Sequence, residues 1–150
     1  MVFSIAFFVI PWVIALVHLQ LKDKKLIPLI APFASVNALL VNGLGVDFGF
    51  WHVYPFTKRE ILSTLPFNLG FYPVLGCYMI YFIKKSNKSP YLIVFFIAFV
   101  TTLVEALFFL LGKVSYGNGW NVFWTFVSYL FPYMFGYWFY RYLRKINLIE

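Results

Sequence analysis

The chain has 150 residues, of which 63% are hydrophobic, 24% are aromatic and only 11% are charged. A soluble domain of this length needs a polar surface that so few charges cannot supply, so the composition excludes an ordinary soluble protein and indicates that the lipid bilayer is the solvent. The net charge of +7 does not indicate nucleic acid as a partner, because nine of the twelve Lys and Arg residues lie in three clusters beside apolar stretches.

Five apolar stretches follow one another along the chain, at residues 2–21, 26–46, 66–83, 90–112 and 120–140. Each is about as long as a helix must be to cross a hydrocarbon core ~30 Å thick at ~1.5 Å per residue. The first has no basic start and no small-residue cleavage site, so we interpret it as a helix and not as a signal peptide. The predicted fold is all-α: a single transmembrane domain over residues 1–150, with five transmembrane helices in a polytopic bundle.

Two connections lie on the same side of this bundle. Residues 47–65 are rich in aromatic side chains, which favour the depth of the lipid headgroups. Pro55 and Pro66 bound a segment there that predicts a short interfacial helix at about residues 56–64. Residues 117–119 have the sequence Gly-Asn-Gly, which predicts a tight turn.

The basic clusters at residues 22–25, 84–88 and 141–145 lie on the other side of the predicted bundle. They hold nine Lys and Arg residues. The side of the bundle that carries the two connections described above holds only Lys58, Arg59 and Lys113. The positive-inside rule therefore predicts a multi-pass protein of the plasma membrane, with the N-terminus outside and the C-terminus in the cytoplasm. This topology needs an odd number of crossings, and hydropathy independently indicates five.

Polar and small residues form stripes along the predicted helices, and such stripes face the interior of a membrane bundle. In the second stretch they recur at intervals of three or four residues: Ala31, Ser35, Ala38, Asn42 and Gly45. With the predicted orientation, the strongly polar residues collect on the outer side. The predicted site is this polar cluster, which either binds a ligand or joins helices, and it consists of Glu105, Asn42, Asn68, Asn121, Thr125, Thr101, Asp47 and His52.

Glu105 is the one formal charge inside a predicted helix, roughly 10 Å below its outer end at ~1.5 Å per residue. Burying a carboxylate at this depth costs on the order of 3 kcal/mol or more, so the group must be protonated, paired or in contact with water. The candidate partners are Lys113, Lys58, Arg59 and His52. Two interpretations stay open: a functional site, which is the default for an acid inside a membrane, or a neutral Glu that hydrogen-bonds to an Asn or Tyr.

Aromatic residues surround the fifth stretch on all sides. Trp120 and the rings at residues 138–142 fit the two interfacial belts of a membrane protein. Tyr129 and Tyr133 lie at mid-membrane and need hydroxyl partners, so we expect them to face protein.

No combination of residues typical of a catalytic site occurs in the chain. There is no Ser-His-Asp or Cys-His set, no His cluster with metal spacing and no phosphate-binding Gly loop, and the single Cys77 lies inside an apolar stretch. We therefore expect no metal, no cofactor and no enzymatic activity. An intramembrane enzyme, the third hypothesis, would need Glu105 and His52 to act as an acid–base pair.

The preferred hypothesis is a non-enzymatic accessory or sensing protein that binds a partner helix, a lipid or a small ligand through an outward-facing polar pocket centred on Glu105. The alternative is a small transporter, or a proton or ion pathway, that uses Glu105. The lack of an inverted repeat and the few polar residues in the inner half argue against transport. The expected partners are membrane lipids and either another membrane protein or a second copy of this chain, and no nucleic acid is expected.

Several short motifs resemble those of an uncharacterised family of small five-helix membrane proteins from spore-forming Gram-positive bacteria. They are Tyr54-Pro55, the run from Asn68 to Pro73, the acidic Glu105 in the fourth stretch, and Trp120-Asn121 with Trp124 at the start of the fifth. This resemblance covers about residues 45 to 145 and implies a bacterial plasma membrane but no reaction. The five-helix, aromatic-rich plan is also similar in architecture to the tryptophan-rich sensory (translocator) proteins. Their Trp-x-Pro-Pro signature is absent here, so that similarity implies no porphyrin or sterol site.

Overall fold

The structure is a computed structural model that describes residues 2–56 and 58–149. It is 77% helical, which confirms the predicted all-α fold. Helix α1 comprises Val2–Ile14, a π-helical turn at Ala15–Leu19 and Gln20–Lys22; α2 is Leu26–Asp47; α3 is Glu60–Lys85, with a π-helical turn at Phe67–Phe71; α4 is Pro90–Leu110; and α5 is Val122–Lys145. Two short strands, β1 at Trp51–Val53 and β2 at Val114–Tyr116, lie in the loops before α3 and α5.

Four of the helices in the described part of the chain are long and apolar enough to cross a membrane: α1 from Ser4 onwards, α2, α3 and α4. Helix α5 is long enough, at 24 residues, but is not in this group. Its five tyrosines, two tryptophans and three basic residues add polar atoms that lower its hydropathy. The prediction of membrane-capable helices is thus confirmed for the first four apolar stretches.

The predicted interfacial helix at residues 56–64 is wrong. Phe56 has a positive φ of 53°, residue 57 lies outside the described residues, and the helical segment that begins at Glu60 is the first part of α3. Pro66 does not end this helix, because the π-helical turn at Phe67–Phe71 follows directly and changes the pattern of backbone hydrogen bonds. The third apolar helix therefore begins at Glu60 and not at residue 66.

The two strands form an antiparallel pair that hydropathy did not predict, with Trp51 opposite Tyr116. They connect the α2–α3 loop to the α4–α5 loop at one end of the bundle, which we call the strand end. The same two loops touch beyond the strands. A Cβ added at Gly117 would lie only 2.6 Å from the carbonyl oxygen of Gly49, so this contact requires glycine.

Helix α1 lies at the periphery and crosses α3 at one point of direct backbone contact. A Cβ added at Gly70 would lie 2.6 Å from Cα of Phe8. Beside the crossing, Nε1 of Trp12 donates a hydrogen bond to the carbonyl of Leu69 over 2.7 Å. That carbonyl lacks its usual α-helical donor, because Pro73, four residues later, has no N–H. The crossing thus supplies a side-chain donor to a carbonyl that has no α-helical donor.

The opposite end of the bundle carries the three basic clusters, and we call it the basic end. The larger apolar core extends from the middle of the bundle towards this end and includes buried residues from every helix, among them Leu19, Leu26, Met79, Val94 and Leu143. At its edge, Lys84 of α3 forms an ion pair with Asp23 in the α1–α2 loop. A smaller core lies under the strands, so the polar residues of the site lie between two apolar clusters.

Candidate functional site

Glu105 of α4 is surrounded by hydroxyl groups near the strand end. Its Oε1 accepts hydrogen bonds from the hydroxyls of Tyr116, at 3.0 Å, and Thr125, at 3.4 Å, and its Oε2 accepts one from the hydroxyl of Tyr129. The Tyr129 hydroxyl is in turn 2.8 Å from that of Tyr72. We call these five residues the Glu105 cluster. They come from α3, α4, β2 and α5, so the cluster exists only when these four elements are packed together.

The strand pair and the first turns of α5 bring the donors to the carboxyl group. Thr125 and Tyr129 are four residues apart on α5 and therefore lie on one face of the helix. The Thr125 hydroxyl also lies 2.9 Å from Nε1 of Trp120 and 3.2 Å from the Tyr116 hydroxyl. Burial, and then the charge of Glu105, raise the pKa of the Tyr116 phenol above its usual value, so this residue remains a donor at physiological pH.

A second polar group adjoins the cluster. Asn42 of α2 donates a hydrogen bond to Oδ1 of Asn68 over 2.5 Å, and Nδ2 of Asn68 donates to the Thr64 hydroxyl over 3.1 Å. Oδ1 of Asn42 accepts from Nε1 of Trp51 over 3.1 Å. Asn68 is fully buried and lies in the π-helical turn of α3, a feature that is frequent at functional sites. These bonds fix the relative positions of α2, α3 and β1.

A narrow cavity adjoins both polar groups. It has a volume of about 40 Å³ between α2 and α5, and a neighbouring space of about 20 Å³ lies towards α3 and the strands. The walls common to both are formed by Asn42, Trp51, Tyr72, Glu105 and Tyr129. On the α2–α5 side the walls include the small residues Ala34, Ala38 and Ser128. Since a water molecule needs roughly 10–15 Å³ by this measure, the cavity holds a few waters or one small polar group.

The residues that hydrogen-bond to Glu105 are not the candidates expected from the sequence. His52 lies 2.6 Å from Glu60 through its Nδ1. Lys113 lies over the ring of Tyr54, with Nζ 4.0 Å from the ring centre. Three hydroxyl groups occupy the positions around the carboxyl oxygens, which corresponds to the interpretation in which tyrosines bond to Glu105.

The structure brings most of the predicted polar residues together. Glu105 and Thr125 belong to the cluster, and Asn42 and Asn68 line or adjoin the cavity. Thr101 lies one turn of α4 before Glu105, lines the smaller space, and is 2.9 Å from the hydroxyl of a buried neighbour, Tyr133. These five predicted residues therefore occupy one region.

Three predicted residues lie elsewhere. Asn121 is exposed and caps α5, because its side-chain oxygen accepts hydrogen bonds from two backbone N–H groups in the first turn. Asp47 is exposed at the last residue of α2. His52 pairs with Glu60 on the outer face of the strands. None of the three lines the cavity.

The site also contains residues that sequence reasoning did not assign to it, namely Tyr72, Tyr116 and Trp51. Among 11 tyrosines and 5 tryptophans, composition gives no sign of which ring lies beside a carboxyl group. Tyr129 was expected to face protein and is buried. Helical spacing was the usable signal, because Tyr72 and Tyr129 each follow a predicted polar residue by four positions.

The arrangement is suited to holding a small donor group against a carboxyl oxygen. Glu105 offers lone pairs, and Asn42 offers an amide at the other side of the same space. In the described part of the chain, no group of three or more His, Cys, Asp or Glu side chains could hold a metal ion. The polar side chains of the cavity wall offer hydrogen bonding and charge attraction to a small donor group.

No protein-family model, curated protein or solved structure matches this chain. The family resemblance carried by its motifs and the architectural similarity to the tryptophan-rich sensory proteins therefore stay predictions.

Proposed function

We propose that this chain is a five-helix integral membrane protein of a bacterial plasma membrane, with its N-terminus and strand end outside and its C-terminus in the cytoplasm. The four membrane-capable helices support this proposal. So does α5, which packs on α4 and is about 36 Å long at ~1.5 Å per residue. The nine basic residues of the three clusters all lie at the basic end, which favours the cytoplasmic side for that end.

We further propose a non-enzymatic sensing or accessory role, in which the cavity beside Glu105 binds the polar end of a small ligand or lipid. The observation that carries this proposal is the Glu105 carboxyl group, which lies in the cavity wall and is held there by three hydroxyl donors. A carboxyl group inside a membrane bundle is costly and by default indicates function. The same three donors also fix its position, which a binding site requires.

The shape and charge of the cavity favour a ligand with an ammonium or hydroxyl group. The side chains that bond to Glu105 are neutral, so an ionised carboxyl leaves a net negative charge that a cationic group would balance. A volume of about 40 Å³ admits only such a small group. The apolar remainder of the ligand would extend out of the cavity, past the part of its wall formed by Ala34, Ala38 and Pro132.

Gentle detergent extraction followed by mass spectrometry of co-purified small molecules tests this role. The wild-type chain should retain one amine- or hydroxyl-bearing molecule in stoichiometric amount, and Glu105→Gln should lose it. Thr102→Val is the matched control, since Thr102 is buried on the same helix but bonds to the Ala98 carbonyl and does not line the cavity. A bare wild-type protein, or equal retention by Glu105→Gln, contradicts the proposal.

A second candidate function is a proton pathway, which one observation favours. The hydroxyls of Tyr72, Tyr129 and Tyr116 form a continuous hydrogen-bonded chain through the Glu105 carboxyl. In proteoliposomes with an internal pH-sensitive dye, Glu105→Gln should then abolish proton flux. Tyr133→Phe serves as the control, because its hydroxyl bonds to Thr101 and is not part of this chain. Flux that Glu105→Gln leaves unchanged would exclude this role.

A further inference from the structure

A groove of about 480 Å³ lies at the basic end, at the opposite end of the bundle from the Glu105 cavity. It is bounded by the end of α3, the loop that follows, the start of α4 and the end of α5. Four cationic side chains line it: Lys84, Lys88, Arg141 and Arg144. Ser86 and Asn87 in the loop add neutral hydrogen-bonding groups to the same wall. The three basic clusters of the sequence do not contribute equally, because no residue of the 22–25 cluster lines the groove.

The positive charge of the groove is only partly balanced within the protein. Lys84 forms its ion pair with Asp23. No carboxylate in the described part of the chain forms an ion pair with Lys88, Arg141 or Arg144. The N-terminus of α4, the positive end of the helix dipole, also borders the groove. Three cations without a carboxylate partner among the described residues therefore line one concave surface.

We propose that this groove binds the phosphodiester group of an anionic phospholipid. Two arginines three positions apart on α5 can each present two N–H groups to phosphate oxygens, the geometry that favours Arg over Lys for this ligand. The guanidinium of Arg144 lies over the ring of Tyr140, 5.9 Å from its centre, and this contact holds it at the groove wall. Basic pockets between the cytoplasmic ends of membrane helices are known to hold such headgroups.

The surroundings favour a lipid over free phosphate. Arg141 and Arg144 also border a shallow surface formed with Trp138 and Tyr142, whose rings are about half exposed. Exposed Trp and Tyr residues lie at headgroup depth in membrane proteins, so the groove lies where lipid phosphates are concentrated. This assignment rests on the five-helix membrane arrangement proposed above, but not on the role of the Glu105 cavity.

Native mass spectrometry of the full chain in an uncharged detergent tests the site. Added phosphatidylglycerol should bind in preference to phosphatidylcholine, and Arg141→Gln/Arg144→Gln should lower its retention by about tenfold or more. Both arginines are exposed, so the variant should keep the wild-type circular dichroism spectrum. Lys24→Gln/Lys25→Gln is the matched control: it removes the same charge from exposed positions at the same end of the bundle, outside the groove, and should retain the lipid.

Three results would overturn the assignment. Equal retention by the arginine variant and the wild-type chain would exclude the groove. An equal loss in the Lys24→Gln/Lys25→Gln control would reduce the effect to general charge attraction. Displacement of the lipid by millimolar inorganic phosphate would assign the site to a soluble anion. Because the assay does not involve Glu105, its failure would leave the proposed ligand cavity untouched, and loss of the cavity ligand would leave this groove untouched.

Discussion

The indole ring of Trp51 lies directly on Gly45 of α2. A Cβ added at Gly45 would lie 2.0 Å from Cζ2 of the ring. This contact lets the ring reach Asn42, three residues earlier on the same helix, and form the wall of the cavity at the strand end. The absence of a side chain at one position of α2 therefore decides how the strand pair is placed over the site.

We expect Gly45→Ala to displace Trp51 and to lower the free energy of unfolding by about 1–3 kcal/mol, the usual penalty for overpacking. Gly43→Ala is the matched control, because a Cβ there meets no atom within 4 Å and alanine is the better helix former. Thermal unfolding in detergent, followed by tryptophan fluorescence, compares the two variants. Equal unfolding midpoints would contradict the contact between Trp51 and Gly45.

The crossing of α1 and α3 should be equally sensitive to one methyl group. Gly70→Ala places a Cβ against the backbone of Phe8, which cannot move away as a side chain could, so we expect a loss of about 1–3 kcal/mol. Gly136→Ala provides the comparison, because its Cβ would meet the flexible end of Met79 at 3.6 Å, an ordinary contact. Limited proteolysis of the α1–α2 loop should also accelerate in Gly70→Ala alone.

The hydrogen bond between Tyr129 and Glu105 should couple the two residues energetically. Tyr129→Phe removes a donor from the carboxyl group and the partner of the Tyr72 hydroxyl, which should cost about 1–3 kcal/mol. In a double-mutant cycle with Glu105→Gln, we expect a coupling energy of about 0.5–3 kcal/mol. Introducing Glu105→Gln in a Tyr133→Phe background should show no coupling beyond error, since Tyr133 bonds to Thr101. Additive effects in the first cycle would show that the bond does not contribute.

The orientation can be tested with single cysteines after the buried Cys77, the one native cysteine, is replaced by alanine. Ser115→Cys lies on an exposed position of β2, and Asn87→Cys lies on an exposed position of the α3–α4 loop. In intact cells an impermeant maleimide should label Ser115→Cys, and it should label Asn87→Cys only after permeabilisation. The reverse pattern would invert the topology, and labelling of both in intact cells would contradict the membrane crossing.

Hydropathy predicted the positions of the helices because each is continuous in sequence and needs no distant partner. Hydropathy could not predict the strand pair. Each strand is only three residues long, and α3 and α4 separate the two strands in the sequence. The predicted start of α3 was wrong for a related reason. A proline such as Pro66 normally ends a helix, and hydropathy does not reveal the π-helical turn that accommodates it here.

The polar part of the site was more predictable than its aromatic part. Glu105, Asn42 and Asn68 are rare residue types inside apolar stretches, so each one indicates a position in the bundle interior. Tyr116 is as polar at its hydroxyl, but it is indistinguishable in sequence from the tyrosines of an interfacial belt. Tyr72 could be inferred only from its spacing of four residues from Asn68. Asn121 was wrongly assigned to the site, because an Asn directly before an apolar run is also a common N-cap of a helix.

The position of β2 in the sequence sets an order of events during synthesis of the chain. Glu105, Trp51 and Asn42 all emerge from the ribosome before any of Tyr116, Thr125 and Tyr129, the residues that donate hydrogen bonds to the carboxyl group. A chain interrupted after α4 would thus have four helices able to enter a bilayer and an acidic group with none of these donors. Synthesis of β2 and α5 is therefore the step that supplies the Glu105 carboxyl group with its three hydroxyl donors.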